Sequence, residues 1–203
     1  MKRLLEAVEA LKSSEIKHLI DARMREFKKN RKEIFSELCF CILTANFNAE
    51  KSIEIQSRLK NAFSTFPESE LAKELKRLGH RYPSVRAKYI VKAKKHKEAL
   101  ESIVSSYDEK AIMEWLVKNI SGIGYKEASH FLRNIGFTNL AIVDFHILNL
   151  LARHGLIEKP KTLTRKKYLE IEEVLRAIAE KLDLNLAELD LYLWYMETGK
   201  VLK

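Results

Sequence analysis

Cysteine is scarce: Cys39 and Cys41 are the only two in 203 residues, separated by one residue inside the apolar run 38–43. Two thiols cannot furnish the four thiolates of an iron-sulfur cluster or of an all-cysteine zinc site, and they cannot staple a miniprotein. They read instead as buried free thiols of a chain kept in a reducing, intracellular setting, the cytoplasm or nucleoid. Three prolines and six glycines leave little turn material for a many-stranded sheet. With apolar residues spaced by three and four, the chain reads as nearly all-helical. Long apolar stretches are missing too. Residues 1–20 are broken by Glu, Lys and Ser at helical intervals, which fits neither a signal peptide nor a membrane span. Acidic residues are outnumbered, 28 against 37 Lys plus Arg, giving a net charge of +9, and that balance favours an anionic partner such as nucleic acid or an acidic membrane surface.

The remaining composition, 46% hydrophobic and 32% charged, is that of a soluble globular protein of one mid-sized domain or two small subdomains. Leu4, Leu5, Val8 and Leu11 form one face of a first helix. Ile16, Leu19, Ile20 and Met24 continue the pattern after Ser13 and Ser14, which can cap. Residues 28–32 are a solvated basic break, and 32–46 read as a core helix because its apolar residues cover most of the circumference. Asn46-Phe47-Asn48 interrupts it before a helix carrying Ile53, Ile55 and Leu59. Pro67 and Gly79 bracket a helix through Leu71 and Leu75. From Ser84 to about Ser106 a single basic helix is expected, carrying Arg86 and Lys88 near Tyr89. Asp108 can cap the next helix, Asp144 opens another, and two amphipathic helices follow near 164–182 and 186–198.

The informative stretch is 116–132, LVKNISGIGYKEASHFL. A helix ends at Ile120, a tight Gly122-Ile123-Gly124 turn follows, and a second helix starts with Ala128 small enough for close packing. This is a helix-hairpin-helix pattern. Its glycines permit positive φ and let backbone N–H groups approach a phosphate oxygen, which suits DNA-backbone binding independent of sequence. Lys126 sits in the first turn of the second helix, where the positive end of the helix dipole disfavours an ammonium ion. That favours the neutral amine, the form that attacks carbon. Asp144, 18 residues on, ends an apolar approach and opens an apolar helix. It can cap that helix and also stabilise positive charge developing on a nearby sugar. The spacing allows one helix and a return, so that both side chains can face one cleft. The bland readings are a phosphate-binding lysine and a plain N-cap.

Gly122-Ile123-Gly124-Tyr125-Lys126 and Val143-Asp144-Phe145-His146 resemble the hairpin, the nucleophilic lysine and the downstream aspartate of the helix-hairpin-helix DNA glycosylase superfamily. The chain is most similar to the small archaeal-type branch of 8-oxoguanine DNA glycosylase/lyases. The resemblance implies an all-α fold with two helical subdomains flanking a DNA-binding cleft. One would span about 32–136 and end in the hairpin (116–135); the other would comprise about 1–31 plus 137–203. No iron-sulfur cluster, metal or other cofactor is implied, and the short chain lacks the extra N-terminal domain of eukaryotic-type relatives. Lys126 and Asp144 become the catalytic pair. Gly122 and Gly124 hold the DNA backbone, while Asn46, Arg86 and Lys88 face the gap and the opposite strand. Trp194 and the terminal Lys203, nine residues apart, would help form the base pocket, with Tyr82 stacking on the base and His130 lining it.

The expected activity is that of a bifunctional enzyme: excision of 8-oxoguanine from duplex DNA and β-elimination at the resulting site, through a lysine Schiff base. Its partner would be double-stranded DNA containing an oxidised purine, bound by a monomer with no membrane involved. Two alternatives stay open from the sequence: a glycosylase for another oxidised base, and a non-catalytic hairpin module that grips DNA for a partner.

Overall fold

Side-chain caps open five of the thirteen α-helices in this chain. Asn48, Asp108, Asp144, Thr164 and Asn185 each accept a hydrogen bond from a backbone N–H three residues on, the arrangement that satisfies an otherwise orphaned donor of the first turn. The computed structural model describes Met1–Lys203 as thirteen α-helices and one short 3₁₀ turn, with no strand. The chain divides into two compact units, one of Asn30–Phe131 (the middle unit) and one of Met1–Lys29 with Leu132–Lys203 (the terminal unit). The second division falls inside a helix, five residues before the boundary at 136/137 read from the sequence.

The middle unit is built on α3 (Ile34–Thr44), preceded by the 3₁₀ turn Asn30–Lys32. Every residue of α3 from Glu37 to Thr44 is buried, as its apolar circumference requires, and Cys39 and Cys41 are fully inaccessible free thiols within it. Burial pushes the Cys39 thiol well above its ordinary range. Around α3 lie α4 (Ala49–Leu59), α7 (Pro83–Lys94) and α8 (Lys97–Ser106). The short α5 (Ala62–Thr65) and α6 (Glu68–Arg77) pack on α7. The single basic helix expected from Ser84 to Ser106 is therefore two, broken at Lys95-His96. A straight helix of that length would run about 34 Å, whereas α3 spans about 16 Å, so only a bend lets both halves lie against it. The unit closes with α9 (Glu109–Asn119) and the start of α10 (Tyr125–Asn134).

In the terminal unit α13 (Leu186–Thr198) is central, packed on α1 (Lys2–Lys12), α2 (Ile16–Lys29), α11 (Phe145–Arg153) and α12 (Arg165–Lys181). A buried ion pair between Arg133 and Asp190 ties the end of α10 to α13, and the Arg133 guanidinium lies 4.9 Å from the centre of the Phe27 ring. On α2 the buried stripe is Ile20, Met24 and Phe27, and Leu19, read as part of the apolar face, is 54% exposed. It sits one residue, about 100° of helical rotation, off that stripe.

The segment 138–143 belongs to no helix or strand, yet Leu140–Val143 are buried. Its backbone is satisfied from α12 and α13 instead. The Tyr168 hydroxyl donates to the Ala141 carbonyl at 2.7 Å and accepts from the Val143 N–H at 3.3 Å. Glu172, fully buried, accepts from the Ala141 N–H at 3.0 Å, and Arg176 donates to the Asn139 carbonyl at 3.0 Å. The Ala187 N–H donates to the Thr138 carbonyl at 3.3 Å. Replacing Tyr168 with Phe removes one donor and one acceptor from a buried backbone segment, so urea unfolding should show a loss of about 1–3 kcal/mol. An unchanged midpoint and slope would mean that the segment does not depend on this clamp.

Candidate nucleic-acid interface and reactive lysine

Between α9 and α10 the chain turns through Ile120–Gly124. Gly122 has φ +84°, and a Cβ built on it would lie 2.4 Å from Cδ2 of Tyr89, so both backbone conformation and space demand glycine there. Gly124 does not share that conformation: positive φ is confined to Gly122 in this turn, a correction to the expectation for both glycines. The Gly124 N–H instead donates to Oε2 of Glu127 at 3.2 Å, the reciprocal half of a capping box. Tyr125 donates to Glu114 at 2.9 Å across the two hairpin helices, and Ala128 is fully buried between them.

Lys126 is the second residue of α10, with its side chain 26% exposed and Nζ 3.9 Å from Oε1 of Glu127. Glu127 lines an open groove together with Ala45, Asn46, Tyr82, Val85, Arg86 and others of the hairpin and α7. Four expected site residues, Asn46, Tyr82, Arg86 and Gly122, thus share one surface of the middle unit. Asn46 holds a left-handed backbone (φ 57°), a conformation asparagine tolerates better than most residues and one often found at functional sites. Arg86 is 7% exposed, donates from Nη2 to the Ala45 carbonyl, and has its Nε buried without a partner. Its guanidinium carbon lies 5.9 Å from the ring centres of both Tyr82 and Tyr89. Burial pulls Arg86 below the ordinary arginine value, opposed by Tyr89, Glu127 and Tyr82. Lys88 is exposed on α7 and is not among the residues lining the groove.

Sequence reasoning missed His80, which braces this surface. His80 is buried, its Nε2 lies 3.0 Å from the Leu43 carbonyl, and its Nδ1 accepts from the Tyr82 N–H at 3.0 Å. That pairing fixes a neutral ring with the proton on Nε2. Phe47 packs against the ring at 4.1 Å. Glu127 and Tyr89 were also missed as groove residues. Glu127 was detectable, because an acid three residues after the residue that opens a helix is a capping-box signal. His80 carried no local signal. His130, one turn after Lys126, is buried with its ring edge-on to Phe40 at 5.7 Å.

The other expected site residues lie in the terminal unit. Asp144 is the N-cap of α11, its Oδ1 accepting from the Ile147 N–H at 2.9 Å, and it directly follows the clamped segment 138–143. Two residues on, the His146 ring meets that of Trp194 edge-on at 4.8 Å. Trp194 is half-buried and its Nε1 is buried with no hydrogen-bond partner, a donor suited to a ligand acceptor. Lys203 is half-buried at the end of a tail in which the Val201 carbonyl accepts from Arg23 at 3.3 Å.

Two expectations follow. Gly122→Ala should cost about 1–2 kcal/mol in unfolding free energy through the left-handed backbone alone, and should weaken duplex binding by displacing Tyr89; wild-type values on both counts would refute the steric account. The second concerns acid. Burial holds His80 below its ordinary value of about 6.5, so the native protein binds fewer protons there than the unfolded chain. Stability from this group is present above that pH and is lost as pH falls through the depressed native value. Chemical denaturation at a series of pH values should show that slope in the wild type and less of it in His80→Gln.

Comparison with known proteins places residues 20–184 in the family model described as 8-oxoguanine DNA glycosylase. The 8-oxoguanine DNA glycosylase/AP lyase of Korarchaeum cryptofilum is 54% identical over 204 residues, covering 98% of each chain. That of Methanocaldococcus jannaschii is 54% identical over 205 residues, covering 98% of this chain and 99% of the relative. The crystal structure of the Methanocaldococcus jannaschii 8-oxoguanine glycosylase/lyase with a 15mer DNA containing 8-oxoguanine superposes with a TM-score of 0.96 at 53% identity, over 99% of this chain and 100% of that one.

Proposed function

This chain belongs to the 8-oxoguanine DNA glycosylase family, and we propose from that premise that it excises 8-oxoguanine from duplex DNA and then cleaves the strand by β-elimination, acting as a monomer. The observation that carries the reading is likeness over 98% of the chain to glycosylase/AP lyases, joined to a lysine in the first turn of α10 directly after the hairpin glycines.

The chemistry assigns each residue a task. The neutral amine of Lys126 attacks the sugar C1′ as the N-glycosidic bond breaks, and the electron pair leaves with the base, which takes up a proton. Asp144, oriented by its cap on α11, stabilises the oxocarbenium-like transition state and assists the later proton transfers. Ring opening gives a Schiff base between Nζ and C1′, which acidifies the C2′ proton. Loss of that proton expels the 3′ phosphate and nicks the strand 3′ to the lesion. Trp194, with its unpartnered Nε1 and the His146 ring against it, serves the extruded base as a flat face and a donor. Lys203 contributes to the same recognition, and His130 to lining the base site. Tyr82 stacks on the base, Asn46 and Arg86 engage the duplex where the base has left, and Gly122 and Gly124 give the backbone contact.

Borohydride trapping tests the assignment. Wild-type protein should form a covalent adduct with an 8-oxoguanine duplex, Lys126→Ala should form none, and Asp144→Asn should slow trapping by about 10²–10³-fold. An adduct that persists in Lys126→Ala would remove the lysine from its role. Equal activity across a panel of oxidised bases would remove the preference for 8-oxoguanine.

A further inference from the structure

Phe145 is the most exposed large apolar side chain in the protein, at 62%. A lone exposed hydrophobe needs no explanation, but this one is held in place on two sides. The His146 ring meets it at 5.3 Å, and the Lys159 ammonium sits 5.1 Å from its centre. Lys159 is itself fixed, donating to Oδ1 of Asn149 at 2.6 Å, although ordering an exposed lysine costs side-chain entropy. All of these residues belong to the terminal unit. Phe145 also follows Asp144 directly, so its Cα is about 3.8 Å from that of the proposed catalytic carboxylate.

We propose that Phe145 and Lys159 form a binding site for the DNA strand beside the reacting nucleotide, the ring stacking on the adjoining base or deoxyribose and the ammonium taking its phosphate. The inference rests on the role given to Asp144 above. A π face with a cation beside it is the combination that single strands select, since each nucleotide offers both a flat surface and an anion. An apolar protein partner fits worse, because covering the ring would bury the ammonium without a counter-charge. The side chain that follows Asp144 thereby becomes a contact that steadies the strand once one nucleotide has been withdrawn from the stack.

The test uses the full-length protein and an uncleavable duplex carrying a tetrahydrofuran abasic site, with affinity measured across a salt series. Phe145→Ala should weaken binding about tenfold at an unchanged salt slope, and Phe145→Trp should restore it where Phe145→Leu does not. Lys159→Gln should flatten the log–log salt slope by about 0.9. In an 8-oxoguanine duplex with 5-iodouracil next to the lesion, photocrosslinking should map to the peptide containing Phe145. Wild-type affinity and slope in all variants, with crosslinks elsewhere, would overturn the site even if wild-type protein still traps on borohydride treatment. Absence of trapping in the wild type would instead refute the enzymatic reading, and would leave the affinity and crosslinking results to decide this contact.

Discussion

A buried backbone with no sheet to join must find its hydrogen bonds elsewhere, and in this protein that constraint shapes the approach to Asp144. Residues 138–143 join no helix or strand and Leu140–Val143 are buried, so Tyr168, Glu172 and Arg176 reach out from α12 to take the groups a neighbouring strand would have taken. The burial of Glu172 is explained by the same need: one oxygen serves the Ala141 N–H and the other receives Arg176. The carboxylate at the end of the segment is consequently placed by a rigid lead-in on one side and by its own cap on the other. Its position depends on helix packing, not on loop flexibility.

The hairpin shows a different economy. Gly122 turns where Tyr89 leaves no room for a side chain, and Glu127 takes the Gly124 N–H, so a carboxylate lines the same groove as Arg86. Arg86 faces that carboxylate's field while its guanidinium lies near the rings of Tyr82 and Tyr89 and is hydrogen-bonded to Ala45. A cation so enclosed is held in one orientation, which suits the duplex contact proposed for it more than a scan along a phosphate chain.

Features governed by near neighbours were legible in the sequence. Asp108 and Asp144 cap where their spacing put them, Pro67 and Gly79 flank α6, and α3 is as buried as its apolar circumference demanded. The hairpin was visible because its glycines, its small alanine and its lysine lie within a few positions of one another. What failed depended on partners far along the chain. The break at Lys95-His96 reflects the short length of α3, more than fifty residues earlier. The brace from His80 joins Leu43 to Tyr82, and the clamp from Tyr168 acts 27 residues back at Ala141. Leu19 looked apolar and periodic, but three better-placed residues already filled the stripe. The exposure of Phe145 is likewise invisible to periodicity, since the residue after an N-cap carries no phase of its own.

The two cysteines have a role in none of this chemistry, and their placement has a practical meaning. Both lie at zero exposure in the helix on which the middle unit is assembled, and burial disfavours the reactive thiolate of Cys39. A proposed repair enzyme for oxidised DNA thus keeps its only sulfhydryl groups where peroxide cannot readily reach them. A thiol-reactive dye would count openings of α3 and nothing else, which makes this pair a native gauge of how often that core comes apart.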